Sequence, residues 1–175
     1  MLFRSYAVDA AFLFRTLGRL GRDNAQGEYY LTDLVAHAHE GGFGATAHVL
    51  EADAAADVLG VNDRVELAQA ERRMQVRLRE RHMRAGVTMI DPDRVTLHAG
   101  VRIGADTVLE PDVALLGATT VGARCLVEQG TRLLDTQVAD ECILHAYSQA
   151  EKTRIEASCH VGPFARLREG TVLQA

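Results

Sequence analysis

The sequence predicts a chain in two parts: helices with a short strand in the first half, then a long polar helix leading into a parallel β-helix that runs to the end. Three observations carry this. Apolar residues in the first part fall at helical spacing between glycine stops. A densely charged stretch runs from near Arg64 to just before Gly86. From Leu97 onward, aliphatic residues recur every six positions, a period that neither a helix nor an ordinary strand produces.

In chain order, Val8 to Leu20 carries Phe12, Leu13, Leu17 and Leu20 on one helical face and stops at Gly21. A second helix starts near Glu28 and runs through Leu31, Leu34, Val35 and Ala38 to Gly41 and Gly42. Thr46 to Leu50 reads as a strand and Asp53 to Val58 as a short helix. The long helix has a capping-box start, Asp63 with Glu66 three residues later. Its apolar stripe of Leu67, Met74 and Leu78 is thin, as expected of a helix that bridges two domains. Arg72, Arg73, Arg77, Arg79, Arg81 and Arg84 form a run interrupted by glutamates, which reads as a solvated face. Asp91-Pro92-Asp93 marks a boundary turn.

The six-residue repeat places Leu97, Ile103, Leu109, Leu115, Val121, Val127 and Leu133 in one phase. The phase slips by one to Val138, Leu144 and Ala150, and again to Ile155, Val161, Leu167 and Leu173. Small or β-branched residues such as Val101, Thr107, Thr119 and Cys125 follow four positions later. A triangular solenoid explains this: each unit makes one flat strand and one corner, and three units make a coil. About four coils, on the order of 20 Å, are expected at ~4.8 Å per coil. A coil one residue short spans 17, which stacks Cys125, Cys142 and Cys159 in one column as buried fillers. His98 and His145 each follow an inward residue, in an outward slot that implies no chemistry.

Composition sets outer limits. The chain has 175 residues, 47% hydrophobic and 25% charged, like an average soluble globular protein. Its net charge of -5 gives no global basic surface for nucleic acid. No apolar run reaches the ~18 residues of a membrane span, and the start lacks a secretory pattern, so a cytoplasmic location is expected. Lys152 is the only lysine. The odd cysteine number, without a Cys-x-x-Cys pair, does not read as a disulfide or zinc framework.

Three motifs resemble one family. They are Asn24-Ala25-Gln26-Gly27-Glu28-Tyr29-Tyr30-Leu31-Thr32-Asp33, then Gly60-Val61-Asn62-Asp63-Arg64 with its long helix and Asp91-Pro92, then Gly162-Pro163-Phe164-Ala165-Arg166-Leu167-Arg168. In order and spacing the chain resembles part of the bifunctional N-acetylglucosamine-1-phosphate uridyltransferase/glucosamine-1-phosphate acetyltransferase family (GlmU). The resemblance implies three regions. Residues 1–62 would be the C-terminal remnant of a Rossmann-like α/β uridyltransferase (pyrophosphorylase) domain, and 63–92 the linker helix and turn. Residues 93–175 would be the first coils of a left-handed parallel β-helix acetyltransferase domain. It implies acetyl transfer from acetyl-CoA to glucosamine-1-phosphate, with a His as general base, then uridylyl transfer from UTP with Mg²⁺. The product, UDP-N-acetylglucosamine, feeds peptidoglycan and lipopolysaccharide synthesis, and the family assembles as homotrimers.

The family's Gly-rich nucleotide loop (Leu-Ala-Ala-Gly-x-Gly-Thr-Arg-Met) has no counterpart in this sequence, and its catalytic His is expected beyond Ala175. No catalytic residue is therefore assigned, and this chain alone is expected to be inactive. Asn62 matches the family residue that binds Mg²⁺ and sugar nucleotide; an amide carbonyl is a hard oxygen ligand that adds no charge. It also reads as a turn residue, with Asp63 taking the cap and leaving the Asn62 side chain free. Arg168 matches the family residue that binds the sugar substrate, where a guanidinium can hold a phosphate by two bonds. It also reads as a surface arginine. Two other functions remain open: a catalytically dead β-helix oligomerisation scaffold, or another sugar-nucleotide pyrophosphorylase with a β-helix tail.

Overall fold

A computed structural model describes residues 6–23, 25–46 and 60–174. The strand expected over Thr46 to Leu50 falls almost wholly, and the helix over Asp53 to Val58 wholly, outside the described residues. The chain divides into two compact units, Met1–Val61 and Asn62–Ala175.

In the first unit, helix α1 spans Ala10–Leu17, with the Asp9 carboxylate accepting from the Phe12 amide at 2.8 Å. It ends at Gly18, earlier than the Gly21 stop expected. Helix α2 spans Asp33–Glu40 and closes on Gly41. The expected start near Glu28 is corrected to Asp33. The chain there makes single turns, Tyr30 to Asp33 and Leu31 to Leu34, rather than a helix. Leu34, Ala38 and Thr16 are buried, and the Phe12 and Phe43 rings lie 5.1 Å apart. Among the described residues of this unit there are two helices and no strand, so the α/β remnant is not seen there.

The second unit opens with helix α3, Arg64–Arg84. It continues through a two-residue strand, Thr88–Met89, and a 3-10 turn at Pro92–Arg94 into a parallel β-solenoid of about five turns. Each side of the solenoid is a five-stranded parallel sheet. Sheet I stacks Thr88–Met89, Val108–Leu109, Leu126–Val127, Ile143–Leu144 and His160–Val161. Sheet II stacks Thr96–Leu97, Ala114–Leu116, Arg132–Leu134, Gln149–Glu151 and Arg166–Leu167. Sheet III stacks Arg102–Ile103, Thr120–Val121, Gln137–Val138, Arg154–Ile155 and Val172–Leu173.

The predicted aliphatic positions are the inward ones. Leu97 stands over Leu115, Leu115 over Leu133, Leu133 over Ala150 and Ala150 over Leu167. Burying these side chains against the coils above and below is what makes stacking favourable, at roughly 25 cal/mol per Å² of apolar surface. The coil count is five rather than four: the repeats from Leu97 to Leu173 already put five strands in each of sheets II and III, and a strand at Met89 completes the fifth in sheet I. Met89 pairs with Leu109 across an interval widened by the 3-10 turn, so the six-residue pattern does not reach back to it.

Both slips of phase fall at the corner between sheets II and III. There Thr136 and Thr153 follow the inward Leu133 and Ala150 by three residues instead of four. Asp135 and Lys152 turn these short corners with φ of 47° and 44°. Thr119, Thr136 and Thr153 form a buried ladder. The Thr119 hydroxyl donates to Leu116 O at 2.7 Å and accepts from Thr136 N at 3.2 Å, and the Thr136 hydroxyl donates to Leu134 O at 3.0 Å and lies 3.4 Å from that of Thr153. A buried hydroxyl costs stability unless it is paired, and here two corners supply a carbonyl while Thr153 is paired through Thr136.

Helix α3 caps the first coil. The Gln75 side-chain amide donates to Leu97 O at 2.8 Å and accepts from Leu97 N at 3.0 Å, replacing a neighbouring strand at an open edge. Leu78 and His82 are buried there, and Met83 packs against the same core. The expected stripe is thereby corrected: Leu67 and Met74 are exposed, because only the second half of the helix meets the coil. Arg79 also departs from the solvated-face reading. It is buried, donates to Pro92 O and Gln75 O, and lies 3.4 Å from Asp93.

Candidate functional site

Asn62 stands just ahead of α3, whose cap is Asp63: the Asp63 carboxylate accepts from Glu66 N at 2.8 Å. The Asn62 side chain is not free as expected. Glu66 reaches back one residue further than a standard capping box, and its Oε2 accepts from Asn62 N at 2.7 Å and Asn62 Nδ2 at 3.1 Å. The sequence showed the Asp63 and Glu66 spacing but not which backbone amide the carboxylate would take. Fixing Nδ2 on Glu66 leaves Oδ1, the hard oxygen, as the atom available to a cation. That donor suits Mg²⁺ as a single ligand. Among the described residues no group of three or more His, Cys, Asp or Glu could hold a metal ion.

Arg168 directly follows the Arg166–Leu167 strand of sheet II. Its carbonyl accepts from Thr171 N at 3.0 Å and Thr171 Oγ1 at 2.7 Å, which closes the corner. Its guanidinium is exposed and has no protein partner among the described residues. Asn62 and Arg168 lie at opposite ends of their unit's sequence, and no described contact joins them. They are two separate features rather than one pocket.

The cysteines stack as expected. All three are free and buried in the column that begins with Thr107. The Cys125 and Cys142 thiols donate to Ala139 O at 3.2 Å and Glu156 O at 3.1 Å. Burial pushes both thiols up, Cys142 to about 11. Because the folded value lies above the ordinary 9.0, the stabilisation this thiol provides is whole below pH 9 and lost as pH rises toward 11. At pH 8 an aromatic disulfide reagent is expected to leave Cys142 unmodified in the native chain and to label it at once in urea. Equal rates in both states would contradict the buried column.

Two histidines carry structural bonds that the repeat pattern did not foretell. His98 Nδ1 accepts from Gly117 N at 2.9 Å. His145 Nδ1 lies 3.1 Å from Glu128, whose other oxygen accepts from Ala146 N at 2.9 Å.

No family model matches the chain. Individual proteins do. "Bifunctional protein GlmU" of Pelobacter propionicus is 41% identical over 96% of this chain, and that of Trichlorobacter lovleyi 44% over 97%. The chain is homologous to the GlmU proteins. The Nocardia farcinica GlmU is 46% identical over 96% of the chain. The chain spans about a third of the length of these curated relatives, 36% for the first two and 33% for the third. Among solved structures, a mutant perosamine N-acetyltransferase of Caulobacter crescentus, in complex with CoA and GDP-perosamine, matches at 14% identity. It covers 58% of this chain and 61% of its own, with a TM-score of 0.31, a likeness that bears on neither fold nor function. Among the described residues no helix is long and apolar enough to cross a membrane.

Proposed function

We propose that this chain is a segment of the two-step enzyme that makes UDP-N-acetylglucosamine. The enzyme acetylates glucosamine-1-phosphate from acetyl-CoA, then transfers uridylyl from UTP, in the cytoplasm, for peptidoglycan and lipopolysaccharide synthesis. The observation that carries this is identity of 41–46% to GlmU proteins across nearly the whole chain. On this reading residues 1–62 end the uridyltransferase domain, 63–92 link, and 93–175 begin a left-handed acetyltransferase β-helix. Mg²⁺, when bound, neutralises charge at the UTP phosphates. Asn62 offers it Oδ1, and Glu66 keeps that amide from turning. Arg168 holds the phosphate of the sugar substrate with its unpaired guanidinium.

Assembly as a homotrimer is part of the proposal. Val108, Leu126 and Ile143 stack in register on the outer side of sheet I, an apolar column half-buried in the single chain. A flat apolar face of this kind suits closed cyclic packing of three prisms.

The test is pyrophosphate release by the purified chain given UTP, N-acetylglucosamine-1-phosphate and Mg²⁺. No release is expected, because the sequence has no Gly-rich loop to cradle the triphosphate. Turnover that disappears in Asn62→Ala would keep the family assignment and overturn the expectation of inactivity. Weak binding of UDP-N-acetylglucosamine, unchanged by Arg168→Ala, would favour a scaffold instead.

A further inference from the structure

Half of the cations on the outside of the solenoid pair with carboxylates. Arg94 pairs with Asp112, Arg124 with Glu141 at 2.8 Å, Lys152 with Glu169 at 3.0 Å and Arg154 with Glu156 at 2.7 Å. Four arginines of this part of the chain have no partner among the described residues: Arg102, Arg132, Arg166 and Arg168. Three of these four fall on sheet II. Arg166 and Arg168 flank the inward Leu167, so alternation puts both on the outer side, ~7 Å apart along the chain. Gln149 lies in register between Arg166 and Arg132, which places Arg132 two coils away, at ~10 Å. Glu169, the nearest carboxylate in sequence, is turned to Lys152 and does not neutralise the pair.

We propose that Arg166 joins Arg168 in a phosphomonoester site on the outer face of sheet II, with Gln149 beside it as a neutral hydrogen-bonding group. This rests on the reading of Arg168 as the residue that holds the sugar phosphate, and adds the second guanidinium that a dianion needs. Two planar forks at this separation grip different oxygens of one phosphate, whereas a single exposed arginine offers one weak, solvent-screened bond. Glu151, exposed in the coil beside Arg168, is the opposing charge and sets an upper limit on affinity.

The chain is titrated with glucosamine-1-phosphate and, separately, with inorganic phosphate, followed by amide NMR at low salt. Arg166→Ala and Arg168→Ala are each expected to weaken both ligands about tenfold, the loss of one charge-assisted bond. Arg166→Lys recovers part of it, Glu151→Gln tightens binding about twofold, and Arg132→Ala changes it less than twofold. A preference for the sugar phosphate over inorganic phosphate identifies the monoester as the ligand. Wild-type affinity in Arg166→Ala, with loss in Arg168→Ala, overturns the shared site and leaves the Arg168 reading standing. Loss in Arg166→Ala alone overturns both, as does the absence of any binding by the wild-type chain. All these side chains are exposed, so unchanged far-UV circular dichroism is expected throughout.

Discussion

Leu115→Ala is expected to destabilise the second unit by about 3 kcal/mol, within the range of ~2–5 kcal/mol found for buried leucines. Leu115 is fully buried and stands between Leu97 and Leu133 in the column inside sheet II. The truncation leaves a void that cannot close, because the coils above and below are held apart at strand spacing by backbone bonds such as His98 N to Leu115 O at 3.0 Å. Urea unfolding monitored by circular dichroism measures the loss as a lower midpoint. The same change at Ala150 does not exist, since nature already placed a small residue in this column, and Ala150→Leu is expected to overpack it. A midpoint for Leu115→Ala within experimental error of the wild type would mean that the column is not the core.

Gly104→Ala is expected to cost about 3 kcal/mol, lowering Tm by roughly 10 °C, for the opposite reason. Its φ lies outside the left-handed region, so alanine meets no conformational penalty. The penalty is steric. A Cβ on Gly104 would lie 2.5 Å from Ala123 N and 2.6 Å from Gly122 C, backbone atoms of the next coil that cannot swing aside. Gly122 is boxed in likewise, 2.6 Å from the Ala139 carbonyl carbon. Gly18→Ala, where a Cβ meets nothing within 4 Å, is the control and should leave Tm within a few degrees. An equal Tm for Gly104→Ala and the wild type would show that the coils can separate at that corner.

Much of the solenoid was legible because its core obeys a strict local rule. Each inward side chain is one residue of a six-residue unit, and burial selects Leu, Ile or Val there whatever lies further along the chain. The cysteine column followed from the same arithmetic. The slips were legible as slips, but not as a shortened corner with Asp135 and Lys152 at positive φ, since aspartate only favours a left-handed turn and lysine gives no sign of one. The first helices were legible in kind and misplaced in extent. Spacing alone extended α2 back to Glu28, where single turns stand instead.

The candidate site was less legible. Sequence pointed to Asn62 and Arg168 through the motifs around them, and to Asp63 as a cap. It did not show that Glu66 would bind the Asn62 side chain, because spacing alone leaves two amides within reach of one carboxylate. Nor did it single out Arg166, whose interest lies in having no partner among the described residues while Lys152 and Arg154 of the same solenoid have theirs.

The sequence by itself determined the repeat, the inward columns, the long capped helix and the kinship with GlmU, since periodicity, caps and identity are properties of neighbours along the chain. Tertiary structure alone decided which polar groups pair across coils: Gln75 on the edge at Leu97, Arg79 buried against Pro92, His145 on Glu128, the threonine ladder. These partners stand 13 to 22 residues apart. A hydrogen bond depends on atoms meeting within about 3 Å, a distance set by how the coils stack and recorded in no single stretch of sequence.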